Sequence, residues 1–218
     1  MSVDLVSITV GFGVIAVVGG GFSFLSRAFK RDIEDDVADM RSVARAHAAA
    51  AREGAVVRVV GRVVDQGELL VAPVSGRRCV AYELELCYGN GERIIGDCAS
   101  VPFLLDDDGG ARAATSSACR VLALRLRIDE RGRPDDLPAP FAAWLEENHS
   151  SDEWRHERRL SWWESRVEPG DRVAIVGVAR REIAQQGNGG YRDAPTLLML
   201  DHADDAPLSI GDDPSLLA

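Results

Sequence analysis

Four cysteines, four histidines and a run of three aspartates carry most of the latent chemistry of this chain. Asp106, Asp107 and Asp108 precede Gly109 and Gly110. Carboxylates could take a hard cation, but these lack the alternate-position spacing of an EF-hand loop, and Asp-Gly after an apolar run is a strong hairpin signal. A turn is the expectation. Cys79 follows Arg77 and Arg78, whose charge would favour a thiolate nucleophile, yet no histidine stands nearby in sequence to act as its base. Cys79, Cys87, Cys98 and Cys119 form no C-x-x-C pair, so buried free thiols are expected instead of a zinc ribbon or a disulfide framework. His156-Glu157 opens like a zinc-protease motif, but Leu160 stands where the second histidine belongs. Ser75-Gly76 lacks the flanking glycines of a nucleophile elbow, and the glycines of residues 185–190 have no following Lys-Ser/Thr to make a phosphate cradle. No catalytic, cofactor or metal set is assigned.

Tryptophan and arginine give a different kind of candidate. Trp162 and Trp163 are adjacent and must point to opposite faces of a strand, so at least one belongs to a core. The other, with Arg155, Arg158 and Arg159, forms the candidate surface for a protein partner or a lipid headgroup.

Residues 5–26 decide where any such surface works. They form an uncharged apolar run of 22 residues between Asp4 and the cations Arg27, Lys30 and Arg31. As a helix this run spans about 33 Å, enough for a hydrocarbon core of about 30 Å. A cleaved leader is disfavoured because residues 1–6 carry no basic n-region, and five glycines would destabilise a water-soluble core helix of this length. The basic cluster after the run predicts a single span with the N-terminus outside and the remainder cytoplasmic. Ala16 with Gly20, and Gly19 with Ser23, have the small-xxx-small spacing that would let two spans pack as a homodimer.

Apolar residues recurring at three- and four-residue steps predict a helical stalk over 27–53, ended by Gly54, with His47 on its apolar stripe. The period then changes to two. Strands are expected at 57–63, 69–71, 79–88, 101–105, 111–115, 121–128, 158–167, 172–179 and 196–201, a mainly β domain over 54–203. Residues 129–157 read as a loop and short helix, and residues 204–218 as a C-terminal tail beyond the domain. The expected fold is a small OB-like barrel or sandwich. Val57-Arg58-Val59-Val60-Gly61-Arg62-Val63 echoes residues 173–179, with glycine in the same register, which fits two bent barrel strands and equally a chance alternation. A net charge of −10 and a pI near 4.9 exclude an ordinary nucleic-acid binder.

Three segments, Ala72-Pro73-Val74-Ser75-Gly76-Arg77-Arg78-Cys79-Val80-Ala81-Tyr82, Pro102-Phe103-Leu104-Leu105-Asp106-Asp107-Asp108-Gly109-Gly110 and Glu168-Pro169-Gly170-Asp171-Arg172-Val173, stand in this order along the chain. Together they resemble the GIDE, or beside-a-membrane, domain of MULAN-type membrane ubiquitin ligases and their prokaryotic relatives, over residues 56–179. Arg78 departs from the pattern, which commonly has proline before the cysteine. The resemblance implies a membrane-tethered recognition module in which Pro73, Ser75, Gly76, Cys79, Tyr82, Pro102, Phe103, Asp106, Asp107, Gly170 and Asp171 are structural motif positions. It does not imply ubiquitin transfer, because the chain after Cys119 has no cysteine with which to build the RING finger of those ligases.

The expected function is a non-catalytic recognition or sensing module on the cytoplasmic face of a membrane, binding a protein partner or a lipid-derived ligand. The alternatives are an enzyme with dispersed active residues and a structural subunit of a membrane complex.

Overall fold

The computed structural model describes residues 35–116, 119–122, 128–149, 153–183, 196–202 and 208–218. A helix, α1, occupies residues 35–42. Strands follow as β1 (Val56–Val64), β2 (Leu70–Val71), β3 (Arg78–Cys79), β4 (Ala81–Tyr88), β5 (Arg93–Ser100), β6 (Leu104–Asp107), β7 (Arg112–Thr115), β8 (Cys119–Leu122) and β9 (Ile128–Gly132). After helix α2 (Ala139–Asn148) come β10 (Leu160–Val167), β11 (Arg172–Ile183), β12 (Thr196–Asp201) and β13 (Leu208–Gly211).

Five of these strands close into a barrel in the order β1-β6-β7-β12-β11, with β11 returning to β1. All these pairings are antiparallel except β7 with β12. Alternation explains the closure. Val57, Val59 and Val63 of β1 and Val173, Ile175 and Ala179 of β11 point into one core, while Val60 and Ala174 face outward onto Val37 and Met40 of α1 and Leu216 and Leu217. The two echoed segments are antiparallel partners, with Gly61 opposite Val173 and Val57 opposite Gly177. At Gly61 the ladder passes from β11 to β6, and a Cβ there would strike the Asp106 carbonyl. Small barrels turn their corners at such positions.

The connections of the barrel carry a second antiparallel sheet, ordered β5-β4-β10-β9. One of its faces sets Tyr82, Leu84, Leu86, Ile95, Leu160 and Trp162 against Phe141 and Leu145 of α2. The expected strand over 79–88 breaks at Val80, which turns into the barrel core, away from the face of Tyr82. Residues 93–100, outside every expected strand, form the edge strand β5.

Three expectations are corrected. The stalk helix ends at residue 42; Ala44 and Ala46 then exchange backbone hydrogen bonds with Arg58, and Ala48 and Ala51 enter the barrel core. Backbone groups that a helix would pair internally are paired from outside. Asp107 accepts from the Ala48 amide, and Arg181 donates to the carbonyls of Ala48, Ala49 and Ala51. His47 is consequently exposed, against Gly109, and off any apolar stripe. Of the expected tail, 204–218, residues 208–218 belong to the domain: β13 extends the sheet on β11, and Leu216 is fully buried beside α1. The expected loop at 129–157 begins with β9, an edge strand, where charged residues such as Glu130 and Arg131 are tolerated.

Among the described residues no helix is long and apolar enough to cross a membrane. Residues 5–26, with Ala16, Gly19, Gly20 and Ser23, lie outside the described residues, as do Arg27, Lys30 and Arg31.

Candidate functional site

The three motif segments meet where the second sheet joins the barrel. In the first, the hairpin between β2 and β3 buries Pro73 and turns on Gly76 at φ 67°. Glu164, wholly buried on β10, accepts from the Val74 amide at 2.7 Å and the Ser75 amide at 3.3 Å. Arg77 reaches Glu168 of the third segment at 2.7 Å, and Arg166 reaches the same carboxylate at 2.8 Å. Burial works to raise the Glu168 carboxyl, but hydrogen bonds and charge from Arg166 and Arg77 outweigh it and hold the group below its ordinary value.

The turn from β10 to β11 is fastened on both sides. Asp171 accepts from the Glu168 amide, and Gly170, at φ 92°, donates to the Val63 carbonyl. Burial pushes the Asp171 carboxyl up. The next residue, Arg172, bonds Asp108 of the second segment at 2.6 Å, and Arg45 bonds the same oxygen at 2.6 Å. Asp106 pairs with Arg112 at 2.8 Å, and Asp107 tethers the chain before β1. Pro102 is exposed, whereas Phe103 is core and donates its amide to Thr115 Oγ1. Ion pairs on either side of the β10–β11 turn therefore tie the third motif to the first and to the second, and the turn hydrogen bonds between them hold backbone in place.

Cys79 fits the same description. Burial first, and then the charge of Glu164, push its thiol up to about 12, the reverse of what a nucleophile requires. Tyr82 hydroxyl donates to Asp97 at 2.9 Å.

The aromatic and basic candidates separate. Trp162 is buried in the second core, so it presents no contact surface. Trp163, on the opposite face, donates to Glu85 at 3.2 Å. Arg155 bonds Glu146 at 2.6 Å and lies over the Trp154 ring at 5.0 Å. Arg158 and Arg159 are exposed, and among the described residues no carboxylate pairs with either. The register adds two residues that sequence reading missed. Leu160 lies opposite Gly132 and Ser161 opposite Arg131. Arg131 and Arg133, also exposed and without an ion-pair partner among the described residues, thus flank the end of the ladder that Arg158 and Arg159 enter. Lys30 being the only lysine in the chain, arginine is the only cation this end can offer. Among the described residues no group of acidic, His or Cys side chains has the arrangement to hold a metal ion. No family model matches the chain, and neither a curated protein nor a solved structure matches it.

Proposed function

We propose that this chain is a single-pass, membrane-anchored recognition module, a relative of the GIDE domain without a RING finger, that binds a protein partner on the cytoplasmic side. The observation that carries the reading is the convergence of the three motif segments on one chain of ion pairs and turn hydrogen bonds between Arg77, Glu168, Arg172 and Asp108. Residues from three distant stretches that share a joint behave as one structural signature, and their side chains are committed to holding it together. The barrel adds support. Taken along the chain, its strands lie in the order first, second, third, fifth, fourth, with third and fifth parallel, which is OB-like, and OB barrels are widely used to present binding faces. The apolar run 5–26 supplies the anchor.

Two measurements test the proposal together. A chain retaining Cys98 alone, with Cys79, Cys87 and Cys119 replaced by alanine, should stay with membranes through alkaline carbonate. Its exposed Cys98 should react with an impermeant maleimide only after the cells are opened. Extraction of the unmodified chain in mild detergent should then yield a stoichiometric protein complex by native mass. Release by carbonate would end the anchored reading, labelling in intact cells would reverse the orientation, and a lone chain holding one defined lipid would replace partner recognition by lipid sensing.

A further inference from the structure

We infer that the end of the second sheet bearing Arg131, Arg133, Arg158 and Arg159 is a docking surface for an acidic segment of a partner protein. The inference rests on the recognition reading above and gives it a chemistry.

Like charges placed side by side on neighbouring strands disfavour the fold that holds them. Where arginines face each other elsewhere, acceptors lie between them: Arg45, Arg77, Arg112, Arg155, Arg166, Arg172 and Arg180 each lie within ion-pair distance of a carboxylate, while Arg41, Arg52, Arg78 and Arg93, exposed and without an ion pair among the described residues, stand on separate segments. Arg58, Arg62 and Arg181 donate to backbone carbonyls. At the β9–β10 end four exposed arginines, each within two positions of the Leu160–Gly132 pair, stand without such partners among the described residues, in a chain whose net charge is −10. Asp136 is committed locally, accepting from the Arg133 amide and packing against Gly132. Glu130, Asp135 and Glu157 are exposed, Glu130 next to Arg131 and Glu157 next to Arg158 in the chain.

Guanidinium groups match carboxylates with two parallel hydrogen bonds, so a row of them recognises clustered Asp and Glu by geometry as well as charge. The acidic remainder of the chain would repel the same partner, which confines docking to this end and sets its orientation.

Position argues against the bilayer as the occupant. The arginines stand at the Leu160 end of β10, whereas its Val167 end turns into the barrel, about 23 Å away along the strand. The chain coming from the anchor packs on the barrel, where Val37 and Met40 of α1 meet Val60 and Ala174.

The test uses the full-length chain in nanodiscs of zwitterionic lipid and a fluorescent oligoglutamate peptide as probe. Binding should be measurable at about 0.05 M salt and fade toward about 0.5 M, as exposed ion pairs do. Arg158→Gln with Arg159→Gln, and separately Arg131→Gln with Arg133→Gln, should each weaken it on the order of tenfold. Both pairs are exposed, so unchanged circular dichroism is expected and is checked first. Equal binding by wild type and both double variants, or no binding at all, overturns the inference. So does loss of peptide binding when the nanodiscs contain anionic lipid, since the bilayer would then hold the arginines. Recovery of the native partner by the fourfold variant as well as by wild type would keep the recognition reading and reject this surface. Carbonate release of the chain would fail the anchored reading and leave the peptide result standing.

Discussion

Replacing Asp107 by alanine tests whether the segment before β1 is held to the barrel as the structure has it. The Asp107 side chain is fully buried, and it accepts three backbone hydrogen bonds: from Ala48 at 2.7 Å, Gly109 at 2.9 Å and Ala111 at 2.7 Å. A buried donor left without a partner costs about 1–3 kcal/mol. Ala48 is buried and has no access to a substitute, whereas Gly109 lies on an exposed turn where water can replace the carboxylate. The loss should therefore total about 3–5 kcal/mol, a large part of the roughly 5–15 kcal/mol that holds an ordinary domain together. Asp107→Asn keeps one carbonyl-type oxygen for Gly109 and Ala111 but turns an amide donor toward the Ala48 donor, and should cost about 1–3 kcal/mol. Asp106→Ala, next door, removes an ion pair between two exposed side chains and should stay within about 0.5 kcal/mol. Urea titration of the full chain in micelles, followed by tryptophan fluorescence, reads all three. An Asp107→Ala midpoint no lower than that of Asp106→Ala would refute the tether.

Four further outcomes follow from the same geometry. Cys79 should resist a thiol reagent at pH 8 in the folded chain while Cys98 reacts; the Cys98 residue is exposed but its thiol is partly desolvated, and that, with Glu83 and Asp97, pushes it up, so its rate should climb with pH, as intact mass against time will read. Gly61→Ala should cost about 3 kcal/mol or more, because its methyl meets the Asp106–Asp107 backbone and not a side chain that could swing aside; a urea midpoint like that of wild type would contradict the close approach. Leu216→Ala should cost about 2–4 kcal/mol, since Leu216 is fully buried between α1 and the barrel, and unchanged stability would return residues 212–218 to a tail. Glu168, whose carboxyl is held below its ordinary 4.5, contributes stability that is present above that value and lost as pH falls through its lower folded value. Glu168→Gln should accordingly flatten the acid limb of stability against pH, measured by urea titration from neutral pH downward.

Period-two patterning made the barrel legible, because Val57, Val59 and Val63 of β1 and Val173, Ile175 and Ala179 of β11 stand at even steps on the core face and Gly61, in the same register, marks a corner. The hairpin at Asp108–Ala111 was legible from Asp-Gly alone. The end of α1 was not, since residues 43–51 carry helical spacing and good helix formers, and their backbone partners lie elsewhere: Arg58 for Ala44 and Ala46, and the distant Asp107 and Arg181 for Ala48. Residues 93–100 and 128–132 are edge strands, whose charge and glycine content conceal their pairing. The arginine end shows the same limit: Arg158 and Arg159 stand out in the sequence, but Arg131 and Arg133 join them only through the β9–β10 register. Adjacency in a strand told that one of Trp162 and Trp163 is core but not which; it is Trp162, because its neighbours on the β10 face are Leu86 and Leu160 and the face belongs to α2.

The second sheet is drawn from two separate barrel connections: β4 and β5 leave between β1 and β6, and β9 and β10 leave between β7 and β11. A sheet sewn into a barrel at two points cannot swing freely about either one. The polar chain from Arg77 through Glu168 and Arg172 to Asp108 stiffens that joint where β10 becomes β11, which explains why its members spend their hydrogen bonds on turns and on each other. An anchored binder has use for this construction. In the proposed binder the barrel would take the chain from the anchor through α1, the far end of the second sheet would offer the arginines, and a rigid joint between them would fix the height and direction at which a partner is met.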